Sequence, residues 1–334
     1  MIDTANVSNQ SDFAKLAEPY RRELQVHCYR MLGSLQDAED LVQETLLRAW
    51  QKLDTYAGRA SFRAWLYKIA TNACLDALDR RPRRTMPQAR QPASDPHEPL
   101  APSITEPIWL EPIPDDLLAD VQVSPEARYD ALESITLAFL AALQILPPRQ
   151  RAVLILRDVL DLHAEEVARV LGITVSSTNS ALHRARTTMA KHYHARGIEN
   201  VKAKPSDEKT RLLLERYMRA WEAGDVDALI VLFKEDAVYP MPPSPSWYQG
   251  KAAIRAFISS NILAGDARGR WKMTPTRANA GPALAWYLRD DASSTYRAFA
   301  IQSLTFEGDL LANVTTFPNP ALFRFFNLPL EHKA

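Results

Sequence analysis

Cysteine is nearly absent: Cys28 and Cys74 are the only two in 334 residues. Both fall in helix-like segments, which argues against a disulfide framework and for a reducing cytoplasm. Long apolar runs are missing as well. The longest, Ile135 to Leu143, falls far short of the roughly 20 residues that span a bilayer, so no membrane partner is expected. The opening MIDTANVSNQSDF has no basic segment followed by an apolar one and does not read as a secretory signal. Net charge is zero, with 40 basic residues against 40 acidic. A self-sufficient DNA-binding domain is often strongly basic. Any DNA contact must therefore be local, or a partner must supply part of the attraction. No metal or cofactor is expected. The length allows two or three domains, each with its own core, and the apolar fraction of 46% is ordinary for a soluble protein.

Acidic residues are also missing from one stretch, between Glu166 and Glu199, while Arg169, Arg184, Arg186, Lys191 and Arg196 are present. Within it His163 to Met189 reads as a helix-turn-helix, the pattern that places a helix in a DNA major groove. Val167, Ala168 and Leu171 recur at helical spacing, Gly172 ends the first helix, and Thr174 is suited to cap the second. Thr178, Leu182, Ala185 and Met189 share an inward stripe. Ser176, Ser177, Asn179, Ser180, His183, Arg184 and Thr187 then face outward, short polar groups followed by cations. A plain helical hairpin would also need an apolar face, so context decides.

Upstream, residues 12–84 read as a compact helical unit. Leu16, Tyr20, Leu24, His27 and Met31 mark a first helix, and Gly33-Ser34 breaks it. Asp37 to Leu53 follows with Ala38, Leu41, Val42, Thr45 and Ala49 on one stripe and Asp37, Asp40, Glu44 and Arg48 opposite. A solvated charged face is the plainer reading of that side, and Glu44 with Arg48 is a favourable i,i+4 pair. After the loop Thr55 to Ser61, a third helix mixes Phe62, Trp65 and Tyr67 with Arg63 and Lys68 and ends in Arg80, Arg81, Arg83 and Arg84. Aromatics interleaved with cations can stack on unpaired bases and hold a phosphate backbone, although most of these rings belong in a core.

Eight prolines between Thr85 and Ser124 exclude continuous helix and predict an extended linker over 85–124, acidic toward its end. Ile108-Trp109-Leu110 is unusual for an inert tether, because apolar groups in a spacer tend to dock. Helices resume at Pro125 and run through 125–196. Beyond a short second linker, RLLLERYMRAWEAGDVDALIVLF gives two helices. Lys251 to Leu263 gives another, and Val238-Tyr239, Trp271 to Met273, Ala283 to Leu288, Tyr296 to Phe306 and Leu310 to Phe317 give strands. Helices followed by a mostly antiparallel sheet predict a separate α+β domain over 207–330.

With these pieces in order, the chain resembles a bacterial sigma-70 family RNA polymerase sigma factor of the extracytoplasmic-function group. DAEDLVQETLLRAWQ resembles the region 2 helix that docks on the polymerase clamp, and SFRAWLYKIATNACLDALDRR the segment that melts and reads the −10 element. LPPRQRAVLILRDVLDL with the helix-turn-helix resembles region 4, the reader of the −35 element. The C-terminal part is similar to the SnoaL-like, cone-shaped NTF2 superfold. The fold implied is multidomain, two all-α sigma domains plus an α+β cone.

By this resemblance Asp37, Asp40, Glu44, Arg48 and Trp50 contact polymerase. Tyr56, Arg59, Arg63, Lys68 and Asn72 act at the −10 element, with Arg80, Arg81, Arg83 and Arg84 on phosphates. Ser176, Ser177, Asn179, Ser180, His183, Arg184 and Arg186 face the −35 element. The implied partners are core polymerase through clamp and flap, promoter DNA, the chain's own C-terminal domain as a regulator, and, as a candidate, an anti-sigma factor. Two departures stand out. Asn179-Ser180-Ala181 replaces the usual Lys-Ser-Arg run, which shifts weight from phosphate contacts toward direct polar readout. Ala280-Gly281-Pro282 stands where one subgroup carries DGGGK.

The strands offer no histidine and no clearly inward aspartate, so catalysis is not expected and no catalytic residue is assigned. Trp221, Tyr239, Met241, Trp247, Trp286 and Phe317 are candidate pocket residues, and filling a core is an equal reading of those rings. The alternative for the whole chain is a polymerase-independent helix-turn-helix regulator with a small-molecule-sensing or isomerase-like C-terminal domain. It leaves the Asp37 to Arg84 unit unexplained.

Overall fold

The computed structural model of the protein describes residues 10–56, 58, 61–80, 82–104, 109–118, 134–195, 207–265, 267–290 and 292–333. The chain divides into two compact units, one formed by residues 1–84 and 117–196, the other by 85–116 and 197–334.

The first unit is helical. α1 spans Gln10–Ala17 and α2 Arg21–Leu32. The single first helix expected from the periodicity is interrupted by a 3-10 turn, Glu18–Tyr20, because Pro19 has no N–H to continue the ladder. Gly33 ends α2 in the left-handed region at φ 75°, and Ser34 then caps α3 (Leu35–Gln51) by accepting the Asp37 N–H at 3.2 Å. Ser61 caps α4 (Phe62–Leu78) in the same way at Ala64.

α2 and α4 meet at a buried polar contact, His27 Nε2 to Thr71 Oγ1 at 2.9 Å. Burial, then the nearby Arg30 and Arg63, pushes the His27 pKa down to about 3, so the imidazole is neutral in the fold.

The second half of this unit comprises α5 (Leu137–Ile145), α6 (Pro148–Leu154), a π-turn (Ile155–Val159), α7 (Ala164–Leu171) and α8 (Val175–Ala195). Both halves share one interior. Arg151, 1% exposed, donates to the Met31 carbonyl, to the Gln144 side chain and to the carbonyls of Gln144 and Leu146. Arg30 Nη2 donates to Ser134 Oγ at 2.6 Å. The bonds of Arg151 satisfy its terminal nitrogens, which offsets much of the cost of burying its guanidinium.

The second unit is an α+β cone. α9 (Asp207–Ala223) and α10 (Val226–Ile230) lead into a seven-stranded sheet: β1 Phe233–Pro240, β2 Trp247–Gln249, β3 Trp271–Ala278, β4 Gly281–Asp290, β5 Thr295–Glu307, β6 Leu310–Phe317 and β7 Glu331–Lys333. α11 (Lys251–Phe257) lies between β2 and β3. The order is β2-β1-β6-β5-β4-β3 with β7 also on β5, and only β1–β6 is parallel.

The helix expected to run through Phe233 stops at Ile230, because Phe233 is fully buried and pairs with Leu311 of β6. Tertiary pairing wins there over the apolar run. The turn at Glu307-Gly308-Asp309 joins β5 to β6, with Gly308 at φ 60°.

Residues 85–116 belong to the cone's unit and are held on it. Ser94 N–H donates to the Trp247 carbonyl at 2.8 Å, Ile104 N–H to Pro243 at 3.1 Å, and Ser244 Oγ to the Ala101 carbonyl at 3.0 Å. The Trp247 indole donates to the Gln91 carbonyl at 2.9 Å. At the far end Ile113 and Asn279 exchange hydrogen bonds, and Pro114 bridges Ala278. Asp115 accepts from the Ala280 N–H at 2.8 Å and from Arg277 Nε at 3.1 Å. Proline content keeps the segment out of helix, as the sequence predicts, while these bonds dock it. Of the linker's acidic end, Glu111, Asp115 and Asp116 are described, while residues 119–124 and the helix start at Pro125 lie outside the described residues.

Candidate nucleic-acid interface

The helix-turn-helix is built as its residues predict. Gly172 ends α7 at φ 63°, and Thr174 Oγ1 accepts the Ser177 N–H at 3.1 Å to cap α8. Glu166 reaches back to the His163 N–H at 2.9 Å. Thr178, Leu182, Ala185 and Met189 are buried. Ser176, Ser177, Asn179, Ser180, His183 and Arg184 are exposed on the other face. Arg186 is exposed too, but its guanidinium forms a two-pronged pair with Asp158 at 3.0 and 2.7 Å. The face is short and uncharged at its start, where it is capped, with the cation Arg184 one turn further on.

A second surface surrounds the start of α4. Tyr56, Phe62 and Trp65 form an aromatic cluster with centroids 5.1 to 5.8 Å apart. Phe62 is buried, whereas Tyr56 and Trp65 are half-buried and Lys68 is exposed beside them. Thr55, Tyr56, Gly58, Ser61, Trp65 and Lys68 line a groove of about 490 Å³, and Glu166 and Arg169 of α7 line its other side. Rings and cations around a concavity of this size suit an unstacked base and its phosphate.

Not every candidate faces that groove. Arg63 is held by Glu23, Nε to both carboxylate oxygens at 3.0 and 2.8 Å, and lies over the Tyr67 ring at 4.9 Å. Arg84 is 6% exposed and paired with Asp37 at 2.6 Å. Asn72 is half-buried, and Arg80 and Arg83 are exposed. Arg83 donates to the Ile145 carbonyl at 3.3 Å. Arg59 and Arg81 lie outside the described residues.

The Asp37–Arg84 pair joins two residues expected at different sites, and the Asp37 side chain is largely buried in it. Along α3 the exposed stripe is instead Gln36, Asp40, Gln43, Leu47 and Gln51, with Glu44 and Arg48 paired at 2.5 Å along its edge. Leu47 is 52% exposed. Spacing alone does not single it out, because a leucine beside an apolar stripe reads as core until its exposure is known. Trp50 is half-buried and packs on Phe13 at 5.7 Å.

In the cone, Trp221, Tyr239, Met241, Trp247, Trp286 and Phe317 are all buried. Gln302 sits among them, fully buried, with four contacts. Its Oε1 accepts from Tyr217 at 2.9 Å and Trp286 at 3.2 Å, and its Nε2 donates to Thr316 at 2.8 Å and Tyr239 at 3.2 Å. Burial pushes Tyr239 up to about 12 and Tyr217 well up, so neither phenol ionises near neutrality. Among the described residues of 207–333 no carboxylate is buried, but β7, against the expectation of no histidine in the strands, sets the half-buried His332 edge-on to the Tyr287 ring at 4.4 Å.

A helical module with an aromatic–cation groove, a capped helix-turn-helix and an α+β cone together make a multidomain DNA-reading transcription factor. Comparison with known proteins narrows the class. Residues 16–84 match sigma-70 region 2, 136–189 match sigma-70 region 4, and 214–314 match the SnoaL-like domain. The chain is 43% identical over 321 residues to ECF RNA polymerase sigma factor SigG of Mycobacterium tuberculosis, covering 96% of this chain and 85% of that one. It is 30% identical over 229 residues to ECF RNA polymerase sigma factor SigJ of the same species, covering 66% and 62%. The fold matches the crystal structure of Mycobacterium tuberculosis extracytoplasmic function sigma factor SigJ with a TM-score of 0.55 at 21% identity, covering 95% and 99%. The chain belongs to the ECF RNA polymerase sigma factors, with a SnoaL-like domain at its C-terminal end. No helix among the described residues is long and apolar enough to cross a membrane.

Proposed function

We propose that this sigma factor is regulated by its own C-terminal cone, which acts by holding the linker between the two promoter-reading regions. One observation carries this reading: residues 91–115 are hydrogen-bonded to the cone near both ends, from Gln91 and Ser94 on Trp247 to Asp115 on Arg277 and Ala280. A linker so held cannot adjust freely to the polymerase surface or to the spacing of two promoter elements.

In this reading the α3 stripe of Asp40, Glu44 and Leu47 meets the clamp, with Arg48 and Trp50 shaping its edge, and region 4 meets the flap. Tyr56, Trp65 and Lys68 take the −10 base. Extruding a base costs a few kcal/mol, and stacking returns about 1–3 kcal/mol per base. Arg80 and Arg83 add phosphate contacts. Asn179, Ser180, His183 and Arg184 read the −35 element. The zero net charge fits a factor that depends on polymerase for affinity, working in the cytoplasm. The cone acts without catalysis, since its interior holds phenols, indoles and a saturated Gln302 rather than an acid–base pair.

The test is deletion of residues 207–334 in the full chain, read as transcription from a cognate promoter with core polymerase. Asp115→Ala in the intact chain serves as the mild version. Both are expected to change transcription in the same direction. Unchanged output from both would remove the cone as regulator.

A further inference from the structure

The recognition helix α8 opens on a residue that its packing does not explain. Val175 is its first residue and is 37% exposed. An aliphatic side chain gains nothing from the water around it, and this one leaves more than a third of its surface there. Local rules broken without a packing return tend to mark functional positions.

The placement is also specific. Thr174 caps the helix at Ser177 N–H, its hydroxyl donates to Ser177 Oγ at 2.9 Å, and Thr178 Oγ1 ties back to the Thr174 carbonyl at 3.1 Å. Side chains on a helix tilt toward its N-terminus, so Val175 projects from the end that enters a major groove first. Its exposed neighbours Ser176, Asn179 and Ser180 are short. The two valine methyls therefore meet whatever lies in the groove without being shielded by longer side chains.

Only one group on the major-groove floor is apolar, the 5-methyl of thymine. We propose that Val175 is a specificity-determining residue of the −35 element, selecting a thymine through contact with that methyl. This rests on the −35 reading of α8. Asn179, whose amide can bond an adenine edge in two places, supplies the polar half of the same readout.

The experiment uses holoenzyme assembled from core polymerase and the full chain, on promoters drawn from a library randomised across the −35 element. Each preferred thymine is then replaced by uracil, which removes only the methyl. The wild-type holoenzyme is expected to lose about three- to fivefold in promoter binding at one position, the effect of about one buried methyl group. Val175→Ala is expected to bind the thymine and uracil promoters equally, with its thermal melt unchanged. Asn179→Ala is expected to lose preference at a different position and to keep the uracil effect.

Wild-type indifference to uracil at every −35 thymine would overturn the proposal, as would an equal uracil penalty in Val175→Ala. Loss of all −35 sequence dependence in the wild type would overturn the promoter reading of α8 itself, and Val175 with it. The two failures are therefore distinguishable.

Discussion

Replacing Asp115 with alanine removes the anchor at one end of the linker. Two bonds are lost, to the Ala280 N–H at 2.8 Å and to Arg277 Nε at 3.1 Å. A hydrogen bond to a charged group contributes about 1.5–3 kcal/mol. Arg277 has a side chain 56% exposed, so solvent screening reduces its pairing to a few tenths of a kcal/mol. Against these gains stands the burial of the carboxylate, whose side chain is 8% exposed and whose pKa is raised by desolvation first. The net loss is about 1–2 kcal/mol, which raises the undocked population roughly 5- to 30-fold.

The neighbouring turn adds to the effect, because Asn279 and Ala280 both hold positive φ, 53° and 61°, and the bonds to Ile113 and Asp115 help secure that strain. Amide hydrogen exchange reads the change directly. Peptides covering residues 109–116 and 276–283 should exchange faster by that factor, while the Ser94 amide on Trp247 changes less. Asp115→Asn keeps an acceptor and should retain most of the protection.

The pH dependence has a definite sign. A carboxyl whose pKa is higher when docked than when free binds its proton better docked, so docking strengthens as pH falls through that raised value toward 3.8. Acid should not release this end. Unchanged exchange in Asp115→Ala, or release on acidification in the wild type, would refute the reasoning.

Three further outcomes are expected. His27 is held neutral, with a pKa of about 3 against an ordinary 6.5, so the unfolded chain takes up its proton first and stability falls as pH drops below about 6.5, by up to about 1.4 kcal/mol per pH unit. Chemical unfolding between pH 7 and 5 should show a shallower pH slope in His27→Leu than in the wild type, and equal slopes would remove His27 as the source. Leu47→Asp should weaken core polymerase binding about tenfold or more in a pull-down titration without lowering the melting temperature, because the side chain is already in water; unchanged affinity would take Leu47 out of the interface. Tyr56→Ala should slow promoter opening, read as permanganate reactivity of unpaired thymines, by roughly 5- to 160-fold. A template mismatched across the −10 element should restore it, and a defect equal on both templates would place the fault elsewhere.

The helix-turn-helix was legible residue by residue because its signals are local. Gly172 and Thr174 act on their own backbone, and a stripe at helical spacing needs only one helix to be seen. Strands β3 to β6 of the cone were legible for the same reason, unlike the short β7, Glu331–Lys333, which carries no such signal. The start of β1 was not, since Phe233 joins the sheet through Leu311, far along the chain.

Pairings across the chain were equally invisible. The resemblance places Asp37 and Arg84 on two different surfaces, yet they pair with each other, and Arg63 spends its guanidinium on Glu23. Proline content foretells that the described residues of 85–116 lack α-helix, but it reports on backbone geometry and not on partners. Only the apolar group at Trp109 hinted at docking, and Trp109 is 5% exposed. Leu47 and Val175 needed exposure itself, a quantity that spacing does not contain.

Run-off transcription with core RNA polymerase tests the central claim most directly. Core polymerase plus the full chain should yield a transcript from a −35/−10 promoter that neither component yields alone, and the free chain should bind that promoter weakly at physiological salt. Tight, sequence-specific binding by the free chain, with no transcript on adding core polymerase, would contradict the account.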